Sequence, residues 1–255
     1  MTPRLLVALT TPTAPPLFAR LLSKMLVKTH ETRRSKNFAS TMLRRVIYAA
    51  LERKLNRAYR DRLADLGPTP NGVFWRNEST QIARFDALLN LVATVTPVAN
   101  PMLGDVGCGY GAMLDFVRKT PRYQNFHYNG IDINRAMINS CKQKFPDQKH
   151  LFFVGKHPPS PVDFCVFSGT FNLCHTTDTQ LWHEYMFGNL QQCWQRSRYG
   201  LVLNLLCGPK TKITNQIFFA ERQTFITAAS RVFGPTHAQS TPHVAGDVTF
   251  LIAKP

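Results

Sequence analysis

The chain has 255 residues, 44% of them hydrophobic and 18% charged. That length suits one large domain, or one domain with an appendage. The composition supplies a sizeable core and excludes low-complexity disorder along the whole length. With 31 Lys+Arg against 15 Asp+Glu the formal charge is +16, which favours polyanions, acidic membrane surfaces or anionic substrates and is silent on fold.

The excess charge is uneven. Residues 1–66 hold 14 Lys+Arg and 4 Asp+Glu, so +10 of the total sits in the first quarter of the chain. Residues 1–16, with four prolines, read as irregular. Leu17–Lys28 reads as a short basic amphipathic helix, and a longer helical stripe runs from Phe38 to Leu66, stopped by Gly67-Pro68. Glu31 is the one acid in the first 50 residues. Such a segment suits a transit peptide, a membrane-surface helix, a polyanion-binding arm or a lid. We expect residues 1–67 to form a basic helical extension or lid and residues 68–255 the main domain. The location expected is cytoplasmic, or mitochondrial if the Arg-rich start is a transit peptide. No run of about 18 apolar residues offers a membrane span.

After a Pro/Asn/Gly-rich connector, Ser79–Val95 fits a helix with Ser79 as its N-cap and Ile82, Phe85, Leu88, Leu89 and Val92 on one side. From Pro101 strands and helices alternate. Strands are expected at 102–106, 126–133, 151–154, 162–168, 200–206 and 248–253. Helices are expected at 112–119, 135–145, 179–196 and 218–232. This order implies helices on both faces of a mostly parallel sheet. The six cysteines form no CxxC pair and read as buried free thiols in a reducing compartment. The eight histidines show no HExxH spacing, so no metal site is expected.

The sharpest signal is Asp105-Val106-Gly107-Cys108-Gly109-Tyr110-Gly111, which follows a strand and opens a helix. Its glycines let the backbone turn tightly and approach a ligand without intervening side chains. Asp132 ends the next strand, 21 residues beyond Gly111, where a carboxylate can accept both hydroxyls of a ribose. The pattern is GxGxG rather than GxGxxG. The acid at Asp105 suits a ligand carrying an ammonium group better than a pyrophosphate. A nucleoside bearing an amino acid and a sulfonium therefore fits better than a dinucleotide.

These residues resemble the class I, Rossmann-like S-adenosylmethionine-dependent methyltransferases over about residues 75–255, and within them a poorly characterised bacterial branch. DVGCGYG looks like the family's first motif, the segment ending at Asp132 its second, and Asp163–Gly169 its fourth. The resemblance implies a doubly wound α/β fold with a mostly parallel seven-stranded sheet and an antiparallel last strand. It implies S-adenosyl-L-methionine as cofactor, held by Gln81, Arg84, Asp105, Gly107, Cys108, Gly109, Gly111, Asp132, Ile133, Ser168 and Gly169. Gln81 and Arg84 are expected near the methionine carboxylate. Two positions depart from the pattern: Gly104 stands where a large aliphatic residue is usual, and Lys156 where an acid often meets the adenine amine.

Methyl transfer from a sulfonium needs alignment and exclusion of water, and a base only where the nucleophile must lose a proton. His175 and Asn172 are the candidate catalytic residues, with Tyr110, His183 and His243 as further candidates near the mouth. The DPPY-type loop of adenine-amino methyltransferases and the Pro-Cys of cytosine enzymes are both absent from the sequence. An O or N atom of a small molecule is the expected acceptor. RNA bound through residues 1–66 is the alternative, and a catalytically silent protein binding a partner or membrane surface is a third.

Overall fold

The computed structural model describes residues 42–255. The Leu17–Lys28 helix, the irregular start and the transit-peptide reading lie outside them. By contacts the chain divides into two units, Met1–Ala50 and Leu51–Pro255. Helix α1 covers residues 42–66. Met42, Leu43 and Val46 at its start are exposed, whereas Leu51 and Leu55 are buried. The apolar stripe read from the sequence is thus a core face only from Leu51 onward.

Helix α2 (Glu78–Val95) is capped by Asn77, whose side chain accepts the Thr80 N–H at 2.9 Å, and not by Ser79. Its inward face is Phe85, Leu88, Leu89 and Val92 together with Gln81 and Arg84, while Ile82 points outward. Two polar residues therefore ride on the buried face, one turn apart, and both are carried into the site.

Next come β1 (Met102–Val106), α3 (Ala112–Lys119), β2 (His127–Asp132), α4 (Arg135–Lys144), β3 (Phe152–Val154), β4 (Val162–Phe167), α5 (Thr179–Arg196) and β5 (Ser197–Gly208). They are followed by β6 (Lys212–Thr214), β7 (Ile217–Glu221), α6 (Arg222–Val232), β8 (Thr236–Ser240) and β9 (Asp247–Ala253). Strands run β3-β2-β1-β4-β5-β9-β8, with β1 to β5 parallel and β9 antiparallel to both neighbours. The expected seven-stranded sheet is this set. A β6–β7 hairpin joins it through β7, which pairs parallel with the far end of β5 and makes nine strands in all.

Three strands escape the sequence reading. Residues 218–221 were expected to open a helix, yet in the strand Ile217–Glu221 Phe218 and Ala220 alternate with more exposed neighbours, as a half-buried strand requires. The helix begins only after Glu221, whose carboxylate caps it. The three-residue strand β6 is too short for a periodic signal. In β8 only Thr236 and Gln239's neighbour Ala238 face inward to any degree, so His, Gln and Ser mask its pattern.

Helices α2, α3 and α4 cover one face of the sheet, through Leu88, Leu114 and Ile138 against Leu103, Tyr128, Phe164 and Val202. Helix α6 covers the other, with Phe225 4.6 Å from Phe250. Asp163 sits at the start of β4, away from the strand's carboxyl end. It accepts the Met102 N–H at 2.7 Å and meets Arg198 at 3.1 Å, so it ties strands together. Gly104 also has a packing reason: a Cβ there would lie 2.6 Å from Pro158, so glycine lets that ring approach the sheet. All six thiols are free, five of them buried and Cys207 partly exposed.

Candidate active site

The chain order turns back at β1, because β2 and β3 extend to one side and β4 and β5 to the other. Such a switch point leaves a crevice at the carboxyl ends of the strands. A cavity of about 630 Å³ opens there, lined from the loops after β1, β2, β3 and β4 and from α1, α2 and α5. That volume lies in the usual range for a small-ligand site of roughly 300–1,000 Å³.

The loop after β1 is backbone architecture. The Gly107 and Cys108 N–H groups donate to the Ile131 carbonyl at 2.7 and 3.0 Å, which welds the loop to β2. Gly107, Gly109 and Gly111 have φ of +82°, +56° and +79°, a region that L side chains enter only at a cost. A Cβ on Gly107 would lie 2.7 Å from Thr170, and one on Gly111 2.8 Å from Phe145. Gly111 is therefore a packing glycine where α3 starts. It lies outside the cavity lining, whereas Asp105, Gly107, Cys108 and Gly109 line it.

Asp132 shares the cavity with this loop. Its Oδ2 accepts the Gly109 N–H at 3.0 Å and its Oδ1 the Asn134 N–H at 2.7 Å. A carboxylate offers about four acceptor sites, so both oxygens retain capacity. Burial pushes this carboxyl up to about 6, against the two backbone donors. Asp105 is 2% exposed. Its Oδ2 accepts the Tyr128 hydroxyl at 2.6 Å, while its Oδ1 is buried without a hydrogen-bond partner. Burial drives its carboxyl up to about 7; Tyr128 opposes that rise and the charge of Asp132 adds to it. A buried orphan carboxylate oxygen is costly unless a donor, best a cationic one, meets it.

Gln81 and Arg84 also line the cavity. Gln81 accepts the Tyr110 hydroxyl at 2.8 Å. Arg84 is held by the buried Asp247 at 2.7 Å and lies over the Trp75 ring at 4.5 Å, so it is a buried ion pair and not a surface one. Ile133, Ser168 and Gly169 line the same space, and the Ser168 hydroxyl is buried without a partner. Lys156 lines it as well and pairs with Glu52 of α1, so its charge is offset by a carboxylate from outside the main sheet.

The two candidate catalytic residues part company. Asn172 lines the cavity and is woven into its frame. Its side-chain oxygen accepts the Leu206 N–H at 3.1 Å, and its carbonyl accepts the Phe218 N–H at 2.8 Å. His175 is not among the lining residues. Its Nε2 is buried without a partner, and burial with nearby Lys54 holds the ring below the usual imidazole value. His183 stacks on Phe187, with ring centres 4.0 Å apart, and does not line the cavity. Tyr110 and His243 do, His243 with a left-handed φ of +61° on the β8–β9 turn.

Sequence reasoning missed Leu55, Asn56 and Tyr59 of α1, Trp182, Tyr185 and Asn189 of α5, and Ile217 of the hairpin, all of which line the cavity. A polar Asn56 on the inward side of the α1 stripe was the available signal. The α5 residues were hidden in an ordinary helical pattern.

No protein-family model matches the chain. A Mycobacterium tuberculosis protein provisionally named as a methyltransferase is 25% identical over 165 residues, covering 63% of this chain and 98% of the relative. Among solved structures, a Leishmania major SAM-dependent methyltransferase superposes with TM-score 0.55 at 13% identity, over 77% of this chain and 82% of its own. The Synechocystis magnesium protoporphyrin IX methyltransferase, solved with SAH bound, superposes with TM-score 0.50 at 13% identity, over 69% of this chain and 84% of its own. The fold is that of the class I, Rossmann-like S-adenosylmethionine-dependent methyltransferases. In sequence the chain is similar to that mycobacterial relative, and in fold to these two solved enzymes.

Proposed function

We propose that the protein transfers the methyl group of S-adenosylmethionine to an oxygen or nitrogen atom of a small molecule. The observation that carries this reading is the orphan Oδ1 of Asp105, buried beside a glycine loop and Asp132 in one cavity. The set fits the cofactor's parts in order: a carboxylate for the ammonium, bare backbone for close approach, and a second carboxylate for the ribose hydroxyls. Gln81, Arg84, Cys108, Ile133, Ser168 and Gly169 complete the binding set. We assign Gly111 to the packing that shapes the loop.

When bound, the cofactor supplies an activated methyl group. The chain's own residues then orient the acceptor and exclude water. Phe171, Leu173 and Trp75 add apolar lining to the cavity, which suits a small, largely uncharged molecule. Asn172 is a positioning residue, because its amide oxygen fixes the end of β5. His243 is the histidine of the lining, and we assign it the role of base where a hydroxyl or ammonium acceptor must lose a proton. Residues 1–67 serve as a basic extension or lid, and residues 68–255 carry the reaction.

The charge of +10 over residues 1–66 favours a second reading, an RNA substrate. One experiment separates the two: methyl-labelled S-adenosylmethionine is offered with phenols and amines, or with RNA, over a salt series. Transfer to small acceptors with little salt dependence supports the first reading. Transfer to RNA that falls steeply with salt supports the second. Failure to bind S-adenosylhomocysteine in calorimetry overturns both.

A further inference from the structure

Helix α1 lies outside the methyltransferase-like part of the sequence, yet it walls the cavity beyond Asp132. Three residues of it, Leu55, Asn56 and Tyr59, line that wall. Its position is fixed by a hydrogen-bonded chain. Asp132 Oδ1 accepts the Asn134 N–H at 2.7 Å, and Asn134 Nδ2 donates to the Asn56 carbonyl at 3.0 Å. The pairing of Glu52 with Lys156 makes a second tie. Tyr59 packs edge-on against Phe74, with ring centres 5.1 Å apart, and makes a third.

The backbone of Asn56 is thus satisfied and locked to the acid assigned to the ribose. Its side chain is not. Asn56 Oδ1 is buried without a hydrogen-bond partner, in a residue that lines the cavity. Leu55, Ile133 and Met137 give the same cavity apolar lining. Apolar lining together with a buried acceptor that has no donor fits a flat heterocycle carrying an amino group. Lys156, which lines the same cavity and pairs with Glu52 one turn before Asn56, is a donor that cannot accept from an amine.

We infer that Asn56 of α1 is the base-reading residue of the cofactor site, its side-chain oxygen accepting a hydrogen bond from the exocyclic amine of adenine. The inference rests on the cofactor reading above. It gives the segment before the main domain a place in the binding site itself. Recognition of the nucleoside is then built across 76 residues of sequence, from Asn56 at the base to Asp132 at the ribose.

The test compares S-adenosylhomocysteine with S-inosylhomocysteine, which carries an oxygen in place of the amine, by calorimetry on the full chain. The wild type binds the adenine form about tenfold or more tightly than the inosine form, the effect of one buried hydrogen bond. Asn56→Leu loses that preference and still binds, because the tie to Asn134 uses the main-chain carbonyl. Asn56→Asp keeps an acceptor and keeps the preference. A thermal melt near that of the wild type shows each variant folded. An undiminished preference in folded Asn56→Leu overturns the inference and leaves the cofactor reading intact. Absence of binding to either compound by the wild type overturns both.

Discussion

The two walls of the cavity are made of different material. The wall after β1 is backbone: N–H groups of Gly107 and Cys108 on the Ile131 carbonyl, and the Gly109 N–H on Asp132. The facing wall is side chains: Leu55, Asn56 and Tyr59 from α1, Trp75 under Arg84, and Tyr185 from α5. A backbone wall admits no added Cβ where the loop touches Thr170. A side-chain wall can be rebuilt one residue at a time. The first therefore fixes where a ligand sits, and the second selects which base and which acceptor sit there.

The largest effect is expected from the side-chain wall, because a charge is buried in it. Arg84→Met leaves Asp247, whose side chain is 0% exposed, without its cation. Urea unfolding should show a loss of about 3–5 kcal/mol. Arg84→Met combined with Asp247→Leu should recover much of it. A single variant as stable as the wild type would show that the pair does not hold this wall.

Next comes the backbone wall. Gly107→Val combines a φ of +82° with a Cβ 2.7 Å from Thr170. Left-handed strain and overpacking together predict a cost of about 2–5 kcal/mol, read as lost stability in urea unfolding. Gly109→Val should be milder, because its Cβ would meet only Val73 at an ordinary 3.5 Å. Equal effects would mean that the contact with Thr170 does not matter.

Asp132→Ala removes the acceptors assigned to the ribose and frees the Gly109 N–H. Binding should weaken by about 1–3 kcal/mol. An unchanged dissociation constant would contradict the ribose placement.

The pH profile gives a smaller, graded test. Asp105 titrates near 7 instead of 3.8 in the folded protein without ligand. A folded-state value above the unfolded one stabilises the protonated fold. That contribution is full below about pH 4 and is lost as pH rises through about 7. A cationic ligand acts oppositely, since it needs the ionised carboxylate. Affinity for S-adenosylhomocysteine should therefore rise between pH 5 and 7 by up to about tenfold per unit. Asp105→Asn should leave only the weaker contribution of Asp132. A flat profile in the wild type would remove Asp105 as the ammonium partner. Smallest of all, Glu52→Ala should cost at most about 1 kcal/mol of stability, because Lys156 is 38% exposed and solvent screens the pair.

Local signals in the chain are enough for the doubly wound order, the glycine loop and the acid at Asp132. Each depends on a short span, such as a strand period of two, a helical stripe or a glycine that must take positive φ, and neighbouring residues suffice to specify it. The N-cap at Asn77, the start of α6 after Glu221 and the strands β6 and β8 depend on which residues face the core, and that is set by partners far along the chain.

The same division holds at the site. That Asp105, Gly107, Gly109 and Asp132 share one cavity was legible because one loop and one strand end carry them. The packing role of Gly111 was not, since it depends on where Phe145 lands. Nor was the absence of His175 from the lining, because a loop's side chains point wherever tertiary contacts send them. The sequence by itself determined the alternation of strands and helices from Pro101 onward and the glycine loop. The tertiary structure alone decided that Asn56, Arg84 with Asp247, and Lys156 with Glu52 close the cavity, because those approaches join residues dozens to more than a hundred positions apart, whose meeting no local pattern encodes.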